Sequence, residues 1–348
     1  MKQTEPPITN TYNWANSLRA WATLGVMLLH VAADVNGNFG KLSNTDWWVG
    51  NIYGASVRWC VPIFVMLSGT FALNKYDGNL QGFFAKTGKR IALPFLFWSI
   101  FYLLYYNSKL LFGTQQSMYE KAYFIFGEIV NGSAVHLWFV CMILSMYLLF
   151  PFISKWVRYC SRKEIRLFLA IWFAYLTLKP FTENVDTHFD FSYFTGFIGY
   201  LILGNYLFAE QQKPNTILLW VLLLASFSFT VWGTYYLTQR DHELNESFLA
   251  GLTPNIVILS SSVYLLFKHS TIKAGSTLQK ITDLVCLHSY GIFLIHILVL
   301  TIFNQYGFRY SLFNPILSIP VITLSCFLIS FALVYLLKKI PYAKYLIG

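Results

Sequence analysis

Apolar stretches of about 20 residues recur along the whole chain, separated by short polar segments rich in Gly, Pro and charged residues. A stretch of that length is what an α-helix needs to cross the hydrocarbon core of a bilayer. The pattern predicts an all-α, polytopic integral membrane protein with about ten transmembrane helices. The predicted spans are residues 15–36, 50–73, 91–112, 134–153, 165–180, 192–208, 216–237, 249–267, 285–303 and 312–337.

Lys and Arg are distributed unevenly between these polar segments. The segments that follow residues 73, 153, 208, 267 and 337 are rich in Lys and Arg, and the alternate segments hold most of the loop acids. Because Lys and Arg accumulate in cytoplasmic loops, the alternation predicts cytoplasmic termini and an even number of spans. We therefore predict a single transmembrane domain over residues 1–348, with short cytoplasmic tails at 1–14 and 338–348.

The composition agrees with a membrane protein and narrows the function classes. Of the 348 residues, 56% are hydrophobic and 11% are charged, whereas a soluble domain has roughly 25% charged residues. The net charge of +10 does not indicate nucleic-acid binding, because the basic residues lie in short loops between apolar stretches. The histidines and cysteines show no metal-ligand spacing, so we expect no bound metal.

Two ionisable residues stand out in the first span, "NSLRAWATLGVMLLHVAADV" at 16–35. Eleven helical steps of 100° place Arg19 and His30 on one face, about 16 Å apart along the axis. Ionisable residues inside a membrane are functional candidates. Two other interpretations remain open: Arg19 as a cation that reaches the cytoplasmic interface, and His30 as an interfacial residue bonded to a neighbouring helix.

Asp34 follows His30 by four residues and is therefore on the same side of the helix. A carboxylate there can accept one ring N–H of His30 and leave the other nitrogen as a general base. An aspartate at the outer surface can equally be a solvated residue.

The second span contains "VRWCVPIFVMLSGTFAL" at 57–73. Together with the Arg–His pair, it resembles the acyltransferase 3 family of integral membrane acyltransferases, in which an Arg–His helix precedes such a segment. Three further stretches match in order: "GKRIALPF", "HLWFVCMILSMYLLFP" and "HSYGIFLIHILVL". No single motif is specific, but the ordered set covers nearly the whole chain. Within the family, the chain most resembles O-acetyltransferases of bacterial surface polysaccharides, of the enterobacterial common antigen type.

The resemblance implies a function and a location. It implies an acetyl-CoA donor in the cytoplasm and, as acceptor, a sugar hydroxyl of a surface polysaccharide or its lipid-linked precursor on the outer side. It places the chain in the bacterial cytoplasmic (inner) membrane. His30 matches the essential histidine of the family, and Arg19 its paired arginine.

Several cations are candidates for binding the donor. Arg58 is always charged, so it can polarise a thioester carbonyl or hold a phosphate. Lys86, Lys89 and Arg90 lie in a predicted cytoplasmic segment and can bind the phosphates of coenzyme A, or can simply anchor the topology. The family often has a second arginine three residues before Arg90, where this chain has Thr87.

The remaining candidates are polar or aromatic residues within the spans. Ser68 in "LSG" can let a donor approach the backbone, although small residues also serve close helix contacts. His136 and Trp138 begin the fourth span, where they are candidates for binding sugar at the outer surface. His288 and His296 are interpreted as neutral histidines bonded to a neighbouring helix.

Two questions remain open at this point. His30 can act as a general base on the acceptor hydroxyl, or can carry the acetyl group itself as an acyl-imidazole. The alternative function is a transporter of a glycan intermediate. The Arg–His pair favours the enzyme, because proton-coupled transport typically uses intramembrane carboxylates.

Overall fold

The computed structural model describes residues 12–73, 76–112, 117–182, 196–271 and 275–348. Within these ranges the regular elements are helices, which confirms the predicted all-α class. Three predicted features lie partly outside them: the N-terminal tail (residues 1–11), the outer segment that contains 183–191, and the first four residues of the span 192–208.

The helices follow one another along the chain with short connections. They are α1 (Asn13–Asn36), α2 (Asn44–Ser56), α3 (Cys60–Ala72), α4 (Leu80–Thr87), α5 (Leu93–Phe112), α6 (Met118–Asn131), α7 (Trp138–Tyr159), α8 (Arg162–Thr182), α9 (Ile198–Ala209), α10 (Thr216–Asp241), α11 (Pro254–Lys268), α12 (Thr277–Gln305), α13 (Pro315–Leu337) and α14 (Lys344–Ile347). A π-helical turn, Gly88–Ala92, joins α4 to α5, and a short 3-10 helix, Tyr310–Leu312, precedes α13.

Seven helical segments of the described chain are long and apolar enough to cross a membrane, so the protein is a multi-pass membrane protein. They are Asn13–Asn36, Asn44–Ala72, Leu80–Phe112, Trp138–Tyr159, Thr216–Asp241, Thr277–Leu312 and Pro315–Leu337. The other three predicted spans correspond to α8 and to the shorter apolar helices α9 and α11. Each predicted span therefore has a helix, and the total of ten membrane crossings stays a prediction.

The second predicted span is not one continuous helix. It consists of α2 and α3, of 13 residues each, separated by a turn at Val57–Trp59 that contains Arg58. Pro62 occupies the third position of α3. A proline is tolerated there because the first N–H groups of a helix have no intrahelical acceptor. The interruption therefore places Arg58 on backbone that is not α-helical.

The third predicted span begins earlier than expected. The sequence predicted a start at residue 91, whereas helical structure begins at Leu80, with the Asn79 side chain accepting a hydrogen bond from Gly82 N–H. The π-helical turn Gly88–Ala92 carries Lys89 and Arg90. Such turns are rare and often occur at functional sites.

Two helices of the described chain were not predicted, α6 and the four-residue α14 within the predicted C-terminal tail. The α6 helix lies between the third and fourth predicted spans and begins with a capping box, in which Ser117 and Glu120 exchange hydrogen bonds. Its outward face carries the exposed side chains of Tyr119, Tyr123 and Phe126.

The core of the bundle is built around α1. This helix packs against α2, α3, α11, α12 and α13. Its residues Leu18, Ala22 and Met27 have no exposed surface. Because α1 is enclosed by other helices, its polar side chains face protein rather than lipid, as expected for functional intramembrane residues.

Candidate active site

His30 lies about two turns before the C-terminal end of α1, the end predicted to face outward, and is partly buried. It lines a small cavity of about 30 Å³ with the polar residues Asp34, Asn304, Arg309 and Tyr310. The apolar part of the lining comes from α1, α12 and α13. A volume of this size holds roughly one or two water-sized groups, so it accommodates a hydroxyl rather than a whole sugar ring.

Asp34 shares this cavity but does not orient His30. Within the described residues, its carboxylate makes no hydrogen bond to the His30 ring, and Arg309 is the charge that acts on it. Asp34 is also exposed. The predicted contact between the two residues is therefore not formed, since the Asp34 side chain is exposed.

Arg58 is the cation whose charge acts on His30, the candidate catalytic residue. Its side chain is only 14% exposed. One guanidinium nitrogen lies 3.8 Å from the Glu246 carboxylate, whose side chain is 62% exposed. Its Nε atom is buried and makes no hydrogen bond to any described residue. Arg58 therefore combines a fixed positive charge, within electrostatic range of His30, with an unused donor.

Three histidines from different parts of the chain form a cluster at the level of His30. The ring centres of His30 and His296 are 5.3 Å apart, and those of His296 and His136 are 5.0 Å apart. His296 has no exposed surface, and His136 is 2% exposed. The sequence did not predict this grouping, because the three residues come from α1, α12 and the turn before α7.

The position of His136 differs from the prediction. We expected it at the outer surface beside Trp138, but its Nε2–H donates to the carbonyl oxygen of Leu294, 3.3 Å away, inside the bundle. Trp138 is 44% exposed and packs against Phe139 and Phe197. The structure therefore separates the two residues, since the buried hydrogen bond turns His136 inward.

His288 and His296 also differ from their interpretation. Each ring donates through Nδ1–H to a carbonyl of its own helix, Leu284 for His288 and Phe293 for His296. Neither bonds to a neighbouring helix among the described residues. His288 lies about two turns before His296 on α12 and packs against Phe331 and Tyr335 of α13 rather than against the cluster.

Arg19 belongs to a second group of residues toward the Lys/Arg-rich end of the bundle. It is partly buried and acts electrostatically on Tyr147 of α7 and on Cys286 of α12. Ser68 lies next to Tyr147 as well and donates to the Phe64 carbonyl oxygen at 2.9 Å. Arg19 and Ser68 thus converge on one tyrosine, while His30 and Arg58 form the outer group.

A larger cavity, of about 270 Å³, opens beside Tyr147. It lies between α7 and the stretch that contains the π-helical turn. Its lining residues are Phe84, Thr87, Gly88, Ala92, Leu144, Ser145, Tyr147 and Leu148. Lys86, Lys89 and Arg90 are exposed and adjoin Thr87 and Gly88 in the chain. Three exposed basic residues therefore flank in sequence the segment that forms one wall of this cavity, and Tyr147 on the opposite wall is within electrostatic range of Arg19.

Sequence reasoning missed the residues that line the outer cavity with His30. Asn304, Arg309 and Tyr310 belong to a segment treated only as an outer loop, "NQYGFRY". The only signal was an arginine in a segment otherwise poor in basic residues. No group of three or more His, Cys, Asp or Glu side chains in the described ranges is arranged to hold a metal ion.

The comparisons with known proteins fit this arrangement. A family model described as an acyltransferase domain, Acyl_transf_3, matches residues 12–335. Neither the curated proteins nor the solved structures gave a significant match. Because the family model covers most of the chain, the resemblance seen in the Arg–His helix and the later motifs is confirmed: the chain belongs to the acyltransferase 3 family of integral membrane acyltransferases.

Proposed function

We propose that this membrane acyltransferase moves an acetyl group from cytoplasmic acetyl-CoA to a sugar hydroxyl on the outer side of a bacterial inner membrane. The acceptor is a cell-surface polysaccharide or its lipid-linked precursor. One observation carries the proposal: His30 lines a polar cavity at one end of the bundle, and a larger cavity flanked by basic residues lies toward the other end.

The donor side of the proposal rests on charge and shape. Lys86, Lys89 and Arg90 are exposed next to the larger cavity, in a segment where the Lys/Arg bias predicts cytoplasm. Cations of this kind bind the phosphates of coenzyme A. The uncharged pantetheine arm then enters between α7 and the π-helical turn. The arm then extends toward α1 past Tyr147 of the cavity wall and the two residues that interact with it, Ser68 and Arg19.

The chemistry is assigned to the outer group of residues. His30 accepts the proton of the sugar hydroxyl, whose oxygen forms a bond to the acetyl carbonyl carbon. Arg58, already beside His30, stabilises the negative charge that develops on the carbonyl oxygen. The carbon–sulfur bond then breaks, and the coenzyme A thiolate takes up the proton held by His30. Acetyl ester and free thiol are the balanced products.

An acyl-imidazole on His30 remains the second route. In that case the unprotonated ring nitrogen of His30 bonds to the thioester carbon, the carbon–sulfur bond breaks, and the coenzyme A thiolate takes up a proton from the acylated ring. The sugar oxygen then bonds to the acetyl carbon as the carbon–nitrogen bond breaks, and the hydroxyl proton returns to the imidazole. In both steps Arg58 stabilises the negative charge that develops on the carbonyl oxygen. Both routes place the same two residues at the reacting carbon.

The acceptor side rests on the outer cavity. Asp34, Asn304 and Tyr310 offer carboxylate, amide and phenol groups, which suit hydrogen bonding to sugar hydroxyls. Arg309 faces the same cavity. Exposed Trp138 remains a candidate platform for the remainder of the glycan.

The test is acetyl transfer by purified protein in proteoliposomes. Acetyl-CoA labelled in its acetyl group is supplied on one side and a lipid-linked glycan on the other. We expect labelled glycan from the wild-type protein and none from His30→Ala. Movement of unmodified glycan across the membrane, with no transfer of label, would support the transporter instead.

A further inference from the structure

We infer that His296 is a positioning residue that holds His30 in its reactive orientation by accepting an N–H from its ring. The inference rests on the proposed role of His30 and extends it to a residue on α12. The imidazole of His296 thereby takes the orienting role that the sequence predicted for Asp34.

The first step is the tautomer of His296. Its Nδ1 atom lies 2.6 Å from the carbonyl oxygen of Phe293. A carbonyl oxygen accepts hydrogen bonds and cannot donate one, so Nδ1 must carry a hydrogen. In a neutral ring, Nε2 then has a free lone pair and acts as an acceptor.

The acceptor atom Nε2 of His296 has no donor among the described residues. His296 Nε2 is buried and makes no hydrogen bond to the described residues. A buried acceptor without a donor is unfavourable, so such atoms usually have a partner in the working state. The atom is therefore available to a nearby donor.

The distance between the His30 and His296 rings is compatible with a hydrogen bond between them. Two imidazole rings joined by a hydrogen bond of about 3 Å between nitrogens have their centres about 5 Å apart. The centres of His30 and His296 are 5.3 Å apart, with the rings tilted by 45°. At this separation we expect a rotation of the His30 ring about χ2 to bring one of its N–H groups to His296 Nε2. The other nitrogen of His30 is then fixed as a base facing the outer cavity.

The alternative partners of His30 fit less well. Asp34 is exposed and influenced by Arg309. Arg58 is a donor only, so it cannot accept an N–H. His136 also has a buried nitrogen without a partner, Nδ1, but its ring is in contact with His296 and makes no ring contact with His30 among the described residues.

The experiment uses two substitutions of His296 that each retain a hydrogen-bonding group near a different ring nitrogen. His296→Asn can retain a donor near the position of Nδ1 and removes the acceptor at Nε2. His296→Gln can place an amide oxygen near Nε2. We expect His296→Asn to lower kcat by about tenfold to a hundredfold, the range typical of a lost orienting partner. The KM for acetyl-CoA should change little, and His296→Gln should recover most of kcat.

His288 provides the matched control. It lies on the same helix and donates to its own helix backbone through the same ring nitrogen, but it packs away from the cluster. His288→Asn and His288→Gln should both leave kcat within about twofold, since no acceptor nitrogen serves His30 there. Equal losses in His296→Asn and His296→Gln, or a normal kcat in His296→Asn, would overturn the inference.

A measurement independent of turnover separates this inference from the proposed function. Nitrogen-15 spectra of histidine-labelled protein, assigned by comparison with His296→Asn, report the tautomer of His296 and its coupling to a neighbouring imidazole. We expect Nδ1 to be protonated and Nε2 to be coupled to His30. A protonated Nε2, or no coupling, refutes the positioning role even if acetyl-CoA proves not to be the donor. Conversely, the expected spectra with no acetyl transfer by the wild-type protein would refute the proposed function alone.

Discussion

Gly69 of α3 and Gly204 of α9 lie at a helix crossing where neither position has room for a Cβ atom. A Cβ on Gly69 would overlap the carbonyl group of Leu201, and one on Gly204 would overlap the backbone of Met66. The Thr70 hydroxyl group lies 3.2 Å from the Gly204 carbonyl oxygen. Small residues allow such close approach between membrane helices. The glycine of "LSG" therefore serves helix packing.

This crossing gives the first prediction, on stability. Gly69→Ala or Gly204→Ala should each destabilise the fold by about 1–3 kcal/mol, because the added methyl group forces the helices apart. The measurement is the fraction of monodisperse protein left after heating in detergent. Gly127→Ala in α6 is the control, since a Cβ there meets nothing within 4 Å. Unchanged melting of both variants would contradict the packing role.

His30 gives the second prediction. His30→Ala should lower acetyl transfer by at least about a hundredfold, because the general base or nucleophile is lost. The expression level and the folding of the variant should stay normal, since His30 is only partly buried at a cavity wall and an alanine is easily accommodated in a membrane helix. His288→Ala, a substitution of another histidine within the bundle, is the comparison. Residual turnover near the wild-type level would remove His30 from the mechanism.

Arg58 gives the third prediction. Arg58→Lys keeps the charge but loses the planar fork, so kcat should fall, and Arg58→Ala should lower it further. Glu246→Gln removes only the exposed partner of the ion pair and should cost about 0–1 kcal/mol in stability with little change in kcat. If Glu246→Gln proves as damaging as Arg58→Ala, the arginine mainly attaches the outer loop to the bundle.

The basic cluster at the larger cavity gives the fourth prediction. Changing Lys86, Lys89 and Arg90 to glutamine should raise the KM for acetyl-CoA much more than it lowers kcat, because these contacts bind the non-reacting end of the donor. A triple variant of Lys155, Lys163 and Arg166 removes the same charge from another exposed Lys/Arg-rich segment. Equal effects of the two triple variants would mean that both segments only anchor the topology.

The orientation of the chain gives the fifth prediction. A reporter that is active only in the cytoplasm should be active when fused after Gly348, and inactive when inserted between residues 242 and 247. The reason is the alternation of Lys/Arg-rich and Lys/Arg-poor segments. The opposite result would place the larger cavity on the outside and remove the cytoplasmic donor from the proposal.

The sequence was informative about helices and less so about their interruptions. Every predicted span has a helix, because long apolar stretches are a strong signal. The turn around Arg58 was hidden inside a continuous apolar stretch, although Pro62 marked a helix start nearby. The helix α6 was also signalled, by serine and glutamate three residues apart before apolar residues.

The site was only partly accessible from the sequence. His30 and Arg19 were singled out because charged groups within an apolar stretch are costly and therefore informative. The grouping of His30 with His136 and His296 depends on how three distant segments pack. The local sequence pattern around each histidine does not contain that information, so His136 was expected at the surface. Arg309 was overlooked for the same reason.

The two short apolar helices, α9 and α11, are shorter than the membrane core that the bundle crosses. The α9 and α11 helices have 12 and 15 residues, so they rise about 18 and 22 Å. A bilayer core is about 30 Å thick. Both helices contribute fully buried residues such as Tyr200 and Tyr264, so protein rather than lipid covers them. Neither helix alone therefore spans a bilayer core of that thickness, and both reach only part of the way across the bundle's membrane-embedded length.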